Sequence, residues 1–144
     1  ISAAFALVQL GKLESNMQIR EHNFKIMSEI FAEYPEYFEL PERASNSRSA
    51  WLAFPVLIKT EAPFERYEMQ AYFEKMKIQT RTVFTGNIIR QPAFKGLSFV
   101  GDAGDFPNSD RIMEYGIVFG CHHGMSSSQL EYLSQVLRDF LKKR

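Results

Sequence analysis

One apolar stripe governs the first quarter of the chain. Leu10, Leu13, Met17, Phe24, Met27 and Phe31 follow one another at spacings of 3, 4, 7, 3 and 4, which keeps them on one face of an α-helix. The spacing predicts a long first helix ending near Tyr34-Pro35, where a ring in place of an N–H interrupts helical bonding. Ahead of the stripe, Ile1 to Val8 is apolar except for Ser2 and carries no capping residue, the pattern of a helix surrounded by other protein. Uncapped N–H groups at a helix start need partners, so the chain is expected to be a piece of a longer protein whose remainder lies upstream.

Beyond the first helix, Pro41-Glu42-Arg43 and the cluster Ser45-Asn46-Ser47-Arg48-Ser49 read as a loop, and Trp51 to Ile58 as a strand. Pro55 cannot donate to a ladder, which predicts an edge or a bulge at that point. Met69, Tyr72, Phe73 and Met76 mark a second helix beginning after Pro63 and ending by Lys77. A short strand is expected from Arg81 to Phe84. Seven of the eight glycines then fall between Gly86 and Gly124, which concentrates irregular backbone there.

A short helix from about Asn108 is expected to end at Gly116 as a left-handed C′ residue. Ile117 to Cys121 reads as a strand. Ser126 and Gln129 have capping-box spacing ahead of a last amphipathic helix carrying Leu130, Leu133, Leu137 and Phe140. The order helix, strand, helix, strand, helix, strand, helix predicts a single α/β (α+β) domain over 1–144, a small sheet covered by helices on one face.

Charge narrows the partners: seventeen Lys and Arg against seventeen Asp and Glu leave a formal charge of zero, so no global field attracts nucleic acid. The longest apolar run, Ala3 to Val8, is far short of the ~20 residues a membrane span needs. A single cysteine, Cys121, excludes a disulfide framework and a cysteine metal site, and a cytoplasmic location is expected.

Two constellations carry chemistry. In Thr80-Arg81-Thr82-Val83-Phe84-Thr85-Gly86-Asn87, followed by Arg90-Gln91-Pro92, the two arginines offer planar forks suited to phosphate or carboxylate. Asn87 can donate and accept, and Gly86 allows close approach to the backbone. The bland alternative is a solvated turn. In Gly120-Cys121-His122-His123-Gly124, neighbouring histidines point apart, which disfavours a shared metal; one ring is expected to pack under the last helix and the other to be exposed. Either histidine is a candidate donor to substrate. Cys121 has no base beside it in sequence and reads as a buried structural thiol.

The run Ala3-Ala4-Phe5-Ala6-Leu7-Val8-Gln9-Leu10-Gly11-Lys12-Leu13, the Trp51 to Pro55 strand and the Arg81 loop resemble the C-terminal part of the DegT/StrS family of PLP-dependent sugar aminotransferases, across essentially the whole chain. Within that family the Thr80 to Asn87 segment with Arg90-Gln91-Pro92, and Gly120 to Gly124, resemble the NDP-4-keto-6-deoxyhexose 3-dehydrase branch, whose enzymes serve 3,6-dideoxyhexose and lipopolysaccharide O-antigen biosynthesis. Aminotransferases of the family more often carry a histidine-containing loop where this chain has Phe84-Thr85-Gly86-Asn87.

The resemblance implies that residues 1–144 are the small C-terminal domain of a type I PLP fold, with the cofactor chemistry in a large N-terminal domain. In the dehydrase branch a histidine stands where a lysine would hold pyridoxal phosphate, so the cofactor cycles as pyridoxamine phosphate; that histidine lies upstream and is neither His122 nor His123. No catalytic residue is expected in this chain. Arg81, Phe84, Asn87, Arg90, His122 and His123 are expected to form a wall of the pocket for a nucleotide-sugar substrate, in a homodimer and with a reductase partner where electrons are needed. Alone, the domain is expected to be inactive and to bind PLP weakly. A sugar aminotransferase of the same fold is the near alternative, distinguished by the upstream lysine; a stand-alone binding module is the distant one.

Overall fold

The computed structural model describes residues 1–144 apart from the side chain of Ala103. The elements follow as α1 (Ser2–Ala32), β1 (Phe38–Glu39), β2 (Ala53–Ile58), α2 (Arg66–Lys75), β3 (Thr80–Thr82), α3 (Pro107–Tyr115), β4 (Gly116–Gly120) and α4 (Ser127–Leu141), with short 3₁₀ turns at Ile88–Arg90, Pro92–Phe94 and Ala103–Asp105. The strands form one antiparallel sheet in the order β1-β2-β4-β3.

Strand alternation sorts the sheet into two faces. Phe54, Val56, Ile58, Ile117 and Phe119 are buried on the inner face. They meet Phe31 of α1, whose ring lies 5.3 Å from Phe54 and 5.4 Å from Phe119, and Phe73 of α2, 5.3 Å from Phe119. Phe140 of α4 closes this layer against Phe73 and Phe64. Such offset and edge contacts add about 0.5–1.5 kcal/mol per pair to the area they bury.

The helical stripes are buried where they meet the sheet. Met69 and Phe73 on α2 are buried, as are Leu130, Leu133, Leu137 and Phe140 on α4, and the Ser126–Gln129 capping box is formed in both directions. On α1 the outcome is divided: Met27, Ile30 and Phe31 are buried, but Phe5, Leu7, Val8, Leu10 and Leu13 are exposed. The reason is length, since 31 residues span about 46 Å, longer than the sheet beneath them. No helix among the described residues is long and apolar enough to cross a membrane.

Two local expectations are corrected and a third is met in part. Gly116 is not left-handed: its φ of −78° and ψ of 130° are extended, and α3 runs directly into β4 there. Glycine is required because an added Cβ would sit 2.4 Å from the carbonyl oxygen of Ile112 and 2.7 Å from Val83 Cγ2. Pro55, paired to Val118, lies in a strand that is internal in the sheet order, yet the edge expected at that point is present locally. Its missing donor is tolerated because β1 reaches β2 only at Leu57 and Ile58, leaving β2 without a neighbour on that side at Pro55. The strand expected from Arg81 to Phe84 spans Thr80–Thr82 instead, because Phe84 has φ 48° and cannot continue a ladder. Helix coverage is also less one-sided than expected: α1, α2 and α4 cover the inner face, while α3 lies against the outer one through Ile112.

Candidate functional site

What α3 leaves uncovered on the outer face is a groove of about 750 Å³, with Trp51, Leu52, Pro55, Arg81, Phe84 and Val118 among its walls. A second hollow of about 500 Å³, sharing Pro55 and Val83, continues towards Leu57 and Ile112. The segment entering β2 forms one wall and is tied to α1. Trp51 stacks on Phe24 with ring centres 4.2 Å apart and planes 12° from parallel, and Arg48 donates to Glu14 at 2.8 and 3.2 Å and to Glu21 at 3.0 Å. Both carboxylates raise the Arg48 pKa, Glu14 most, so the clasp is charged at any working pH.

The facing wall is β3 and the turn after it. The Arg81 side chain is exposed and makes no hydrogen bond or ion pair among the described residues, which leaves its fork available to an anion. Phe84 is 93% exposed, with its carbonyl held by Thr82 Oγ1 at 3.0 Å. The next residues fold down onto α3. Gly86 has φ 64° and lies so close that an added Cβ would be 2.2 Å from Met113 Cβ.

Asn87 is buried and donates through Nδ2 to Asp110 at 2.8 Å, while its Oδ1 accepts from the amide of Ile89 at 3.2 Å. Arg90 forks onto the same carboxylate, Nε to Oδ1 at 2.9 Å and Nη2 to Oδ2 at 2.7 Å. These two donors, Arg90 first, lower the Asp110 pKa to about 2.

The structure therefore divides the six residues singled out in the sequence. Arg81 and Phe84 flank the groove. Asn87 and Arg90 are brought together, but on Asp110, where they shape the turn beneath Phe84. His122 and His123 do not line the groove and are both exposed, which corrects the expectation that one packs under the last helix. They follow the end of β4 in a loop in which Gly124 donates its amide to His122 Nδ1 at 3.1 Å and Arg20 lies 3.3 Å from His123 Nδ1. Asn23 Nδ2 fixes the loop through the His122 carbonyl at 2.9 Å. Cys121 is buried as expected, and desolvation pushes its thiol up to about 11.

Sequence reasoning missed Asp110 and Arg48. Each meets its partners across 20 to 34 residues of chain, and such a separation leaves no local pattern to read. The groove suits a ligand with an apolar or ring face and an anionic group: an aromatic ring, an indole edge, an apolar floor and one cationic fork. Its lining includes no lysine, histidine, cysteine or carboxylate, so these residues do not fit the task of holding a pyridoxal ring. No group of three or more His, Cys, Asp or Glu among the described residues is placed to hold a metal ion.

The fold is shared with chains of known structure. The structure of E. coli GDP-4-keto-6-deoxy-D-mannose-3-dehydratase with bound hydrated PLP superposes with a TM-score of 0.79 at 22% identity, over 94% of this chain and 34% of that one. The model of the DegT/DnrJ/EryC1/StrS aminotransferase family matches residues 1–138, and the chain belongs to that family. Lipopolysaccharide biosynthesis protein RfbH of Salmonella typhimurium is 31% identical over 97% of this chain and 32% of its own length. The dTDP-4-dehydro-2,6-dideoxy-D-glucose 3-dehydratase of Saccharopolyspora spinosa is 29% identical over 99% of this chain and 30% of its own. The chain thus spans about a third of the length of these curated relatives.

Proposed function

We propose that the chain is the C-terminal domain of a PLP- or PMP-dependent NDP-4-keto-6-deoxyhexose 3-dehydrase acting in O-antigen biosynthesis, and that its outer groove forms one wall of the nucleotide-sugar pocket. The observation carrying this reading is the pair of relatives, RfbH and a sugar 3-dehydratase, that align with nearly the whole chain at 31% and 29% identity. The cofactor is held by a larger upstream domain, which also shields the apolar residues of α1 that stand exposed here. The cofactor supplies the electron sink for C-3 deoxygenation; this chain supplies binding, orientation and exclusion of water.

In this reading Arg81 pairs with the diphosphate of the substrate and Phe84 lies against a ring of it, while Asn87 and Arg90 hold the turn that carries Phe84. His122 and His123 take part through the adjoining loop rather than the groove. The enzyme works as a cytoplasmic homodimer with a reductase where electrons are required. The second reading, a nucleotide-sugar aminotransferase, is favoured by the family's own description. The full-length reading frame separates the two: histidine at the Schiff-base position supports the dehydrase, lysine the aminotransferase.

In the full-length enzyme, Arg81→Ala is expected to lower kcat/KM for the 4-keto nucleotide sugar by well over tenfold, with the cofactor absorbance unchanged. One charge-assisted hydrogen bond is worth about 1.5–3 kcal/mol and each ~1.4 kcal/mol is a factor of ten. Unaltered kinetics would put the groove outside the pocket and sink the reading.

A further inference from the structure

We infer that Asp110 is the positioning residue of this site: it touches no groove surface itself but sets the geometry of the turn that presents Phe84 beside Arg81, which β3 holds through its pairing with Val118. The inference rests on the reading of the groove as a substrate wall.

Phe84 combines two unfavourable features, a left-handed backbone at φ 48° and a ring 93% exposed. Such a conformation persists only where its surroundings over-determine it. The determinants converge on α3. Asp110 sits in the first turn of that helix and accepts from both Asn87 and Arg90, three hydrogen bonds of 2.7 to 2.9 Å on one carboxylate. Asn87 is buried, so without Asp110 its amide would lose its acceptor out of reach of water, the costly kind of loss.

Through Oδ1, Asn87 also holds the amide of Ile89, and Gln91 Nε2 closes the turn on the carbonyl of Thr85 at 2.8 Å. Gly86 is pressed onto Met113, one turn further along α3. The whole segment 84–91 is thereby fastened to one short helix, and Asp110 carries the charged share of that fastening. The carboxylate and its two donors act as a latch between α3, which leans on the sheet through Ile112, and the rim of the groove.

The test uses the full-length holoenzyme with Asp110→Ala, Asp110→Asn and, as the conservative variant, Asp110→Glu. Brief trypsin treatment reads the latch directly, because the bond after Arg90 becomes cleavable only when the turn lifts. Cleavage there is expected to accelerate more than tenfold in Asp110→Ala and Asp110→Asn, by mass spectrometry of the products, with sites elsewhere unchanged. Asp110→Glu is expected to recover most of the protection. In kinetics the loss is expected in KM for the nucleotide sugar, at least fivefold, with kcat within threefold and the cofactor spectrum intact; a loss of global stability alone would not produce that split.

Unchanged cleavage after Arg90 overturns the inference whatever the kinetics. Faster cleavage with unchanged KM, in an enzyme that Arg81→Ala impairs, overturns it while leaving the substrate wall in place. Unchanged KM in both the Asp110 and the Arg81 variants overturns the substrate wall and the inference with it.

Discussion

Gly86→Ala provides a sharp measure of how tightly the substrate turn is packed. Two costs separate in the structure. The first is conformational: at φ 64° an alanine incurs the left-handed penalty of about 1–2 kcal/mol. The second is steric, since the new Cβ would lie 2.2 Å from Met113 Cβ and 2.6 Å from its Cα, where ordinary contacts begin at 3.4 Å. A backbone atom cannot rotate away, so the turn must rise from α3 by more than about an ångström. Overpacking of this kind costs about 1–3 kcal/mol.

Gly96 is the natural control, with φ 84° and nothing within 4 Å of an added Cβ, so Gly96→Ala incurs the first cost alone. The two variants are expected to differ by about 1–3 kcal/mol in urea unfolding followed by circular dichroism. At about 2–4 °C per kcal/mol, Gly86→Ala should melt at least about 2 °C below Gly96→Ala. Equal midpoints would refute the argument, because they would mean that Gly86 is a glycine for its backbone angle and that the turn does not press on α3.

Two further outcomes follow from protonation. Cys121, its thiol pushed up to about 11 by burial, is expected to react with a maleimide near pH 8 about two orders of magnitude more slowly in the native protein than in urea, and comparable rates would show the thiol to be accessible. Asp110, held at about 2 by Arg90 and Asn87, has a folded pKa below the ordinary carboxylate value, so its contribution to stability is complete above about pH 4 and lost as pH falls through about 2. Carbon NMR of its carboxyl is expected to titrate with a midpoint near 2; a midpoint near 4 would mean that the latch is open.

The helices were legible because their apolar positions repeat with the period of the surface they bury, and the capping box at Ser126 marks a boundary in four residues. β1 was not, since two residues cannot display an alternation. Pro55 and Gly116 show a subtler limit. Both residue types are exceptional on sight, but the reason each is tolerated or required lies at least partly in a neighbour distant in sequence: the shortness of β1 for Pro55, and for Gly116 Val83, which adds to the carbonyl of Ile112 four residues earlier.

The site behaves in the same way. Arg81 and Phe84 stand where the motif led one to look, whereas Asn87 and Arg90, which offer the same chemistry, are occupied by a carboxylate 23 and 20 residues further on. Donor capacity can be read from a side chain's identity. Whether it is already engaged depends on how α3 lies against the sheet.

The strand order has a consequence for how the domain comes into being. β4 is the link between β2 and β3, and its residues pair with β2 across 59 to 67 positions of chain and with β3 across 35 to 39. Until Gly116 to Gly120 have left the ribosome, β2 and β3 have no partner in common and Phe54, Val56 and Ile58 have half a core to enter. Closing loops of that length is slow, so the joining of β2 to β3 through β4 is expected to come late, after β1 can already pair with β2. Premature termination before Phe119 would yield loose helices with their aromatic faces bare, a species for chaperones and proteases rather than a smaller working domain.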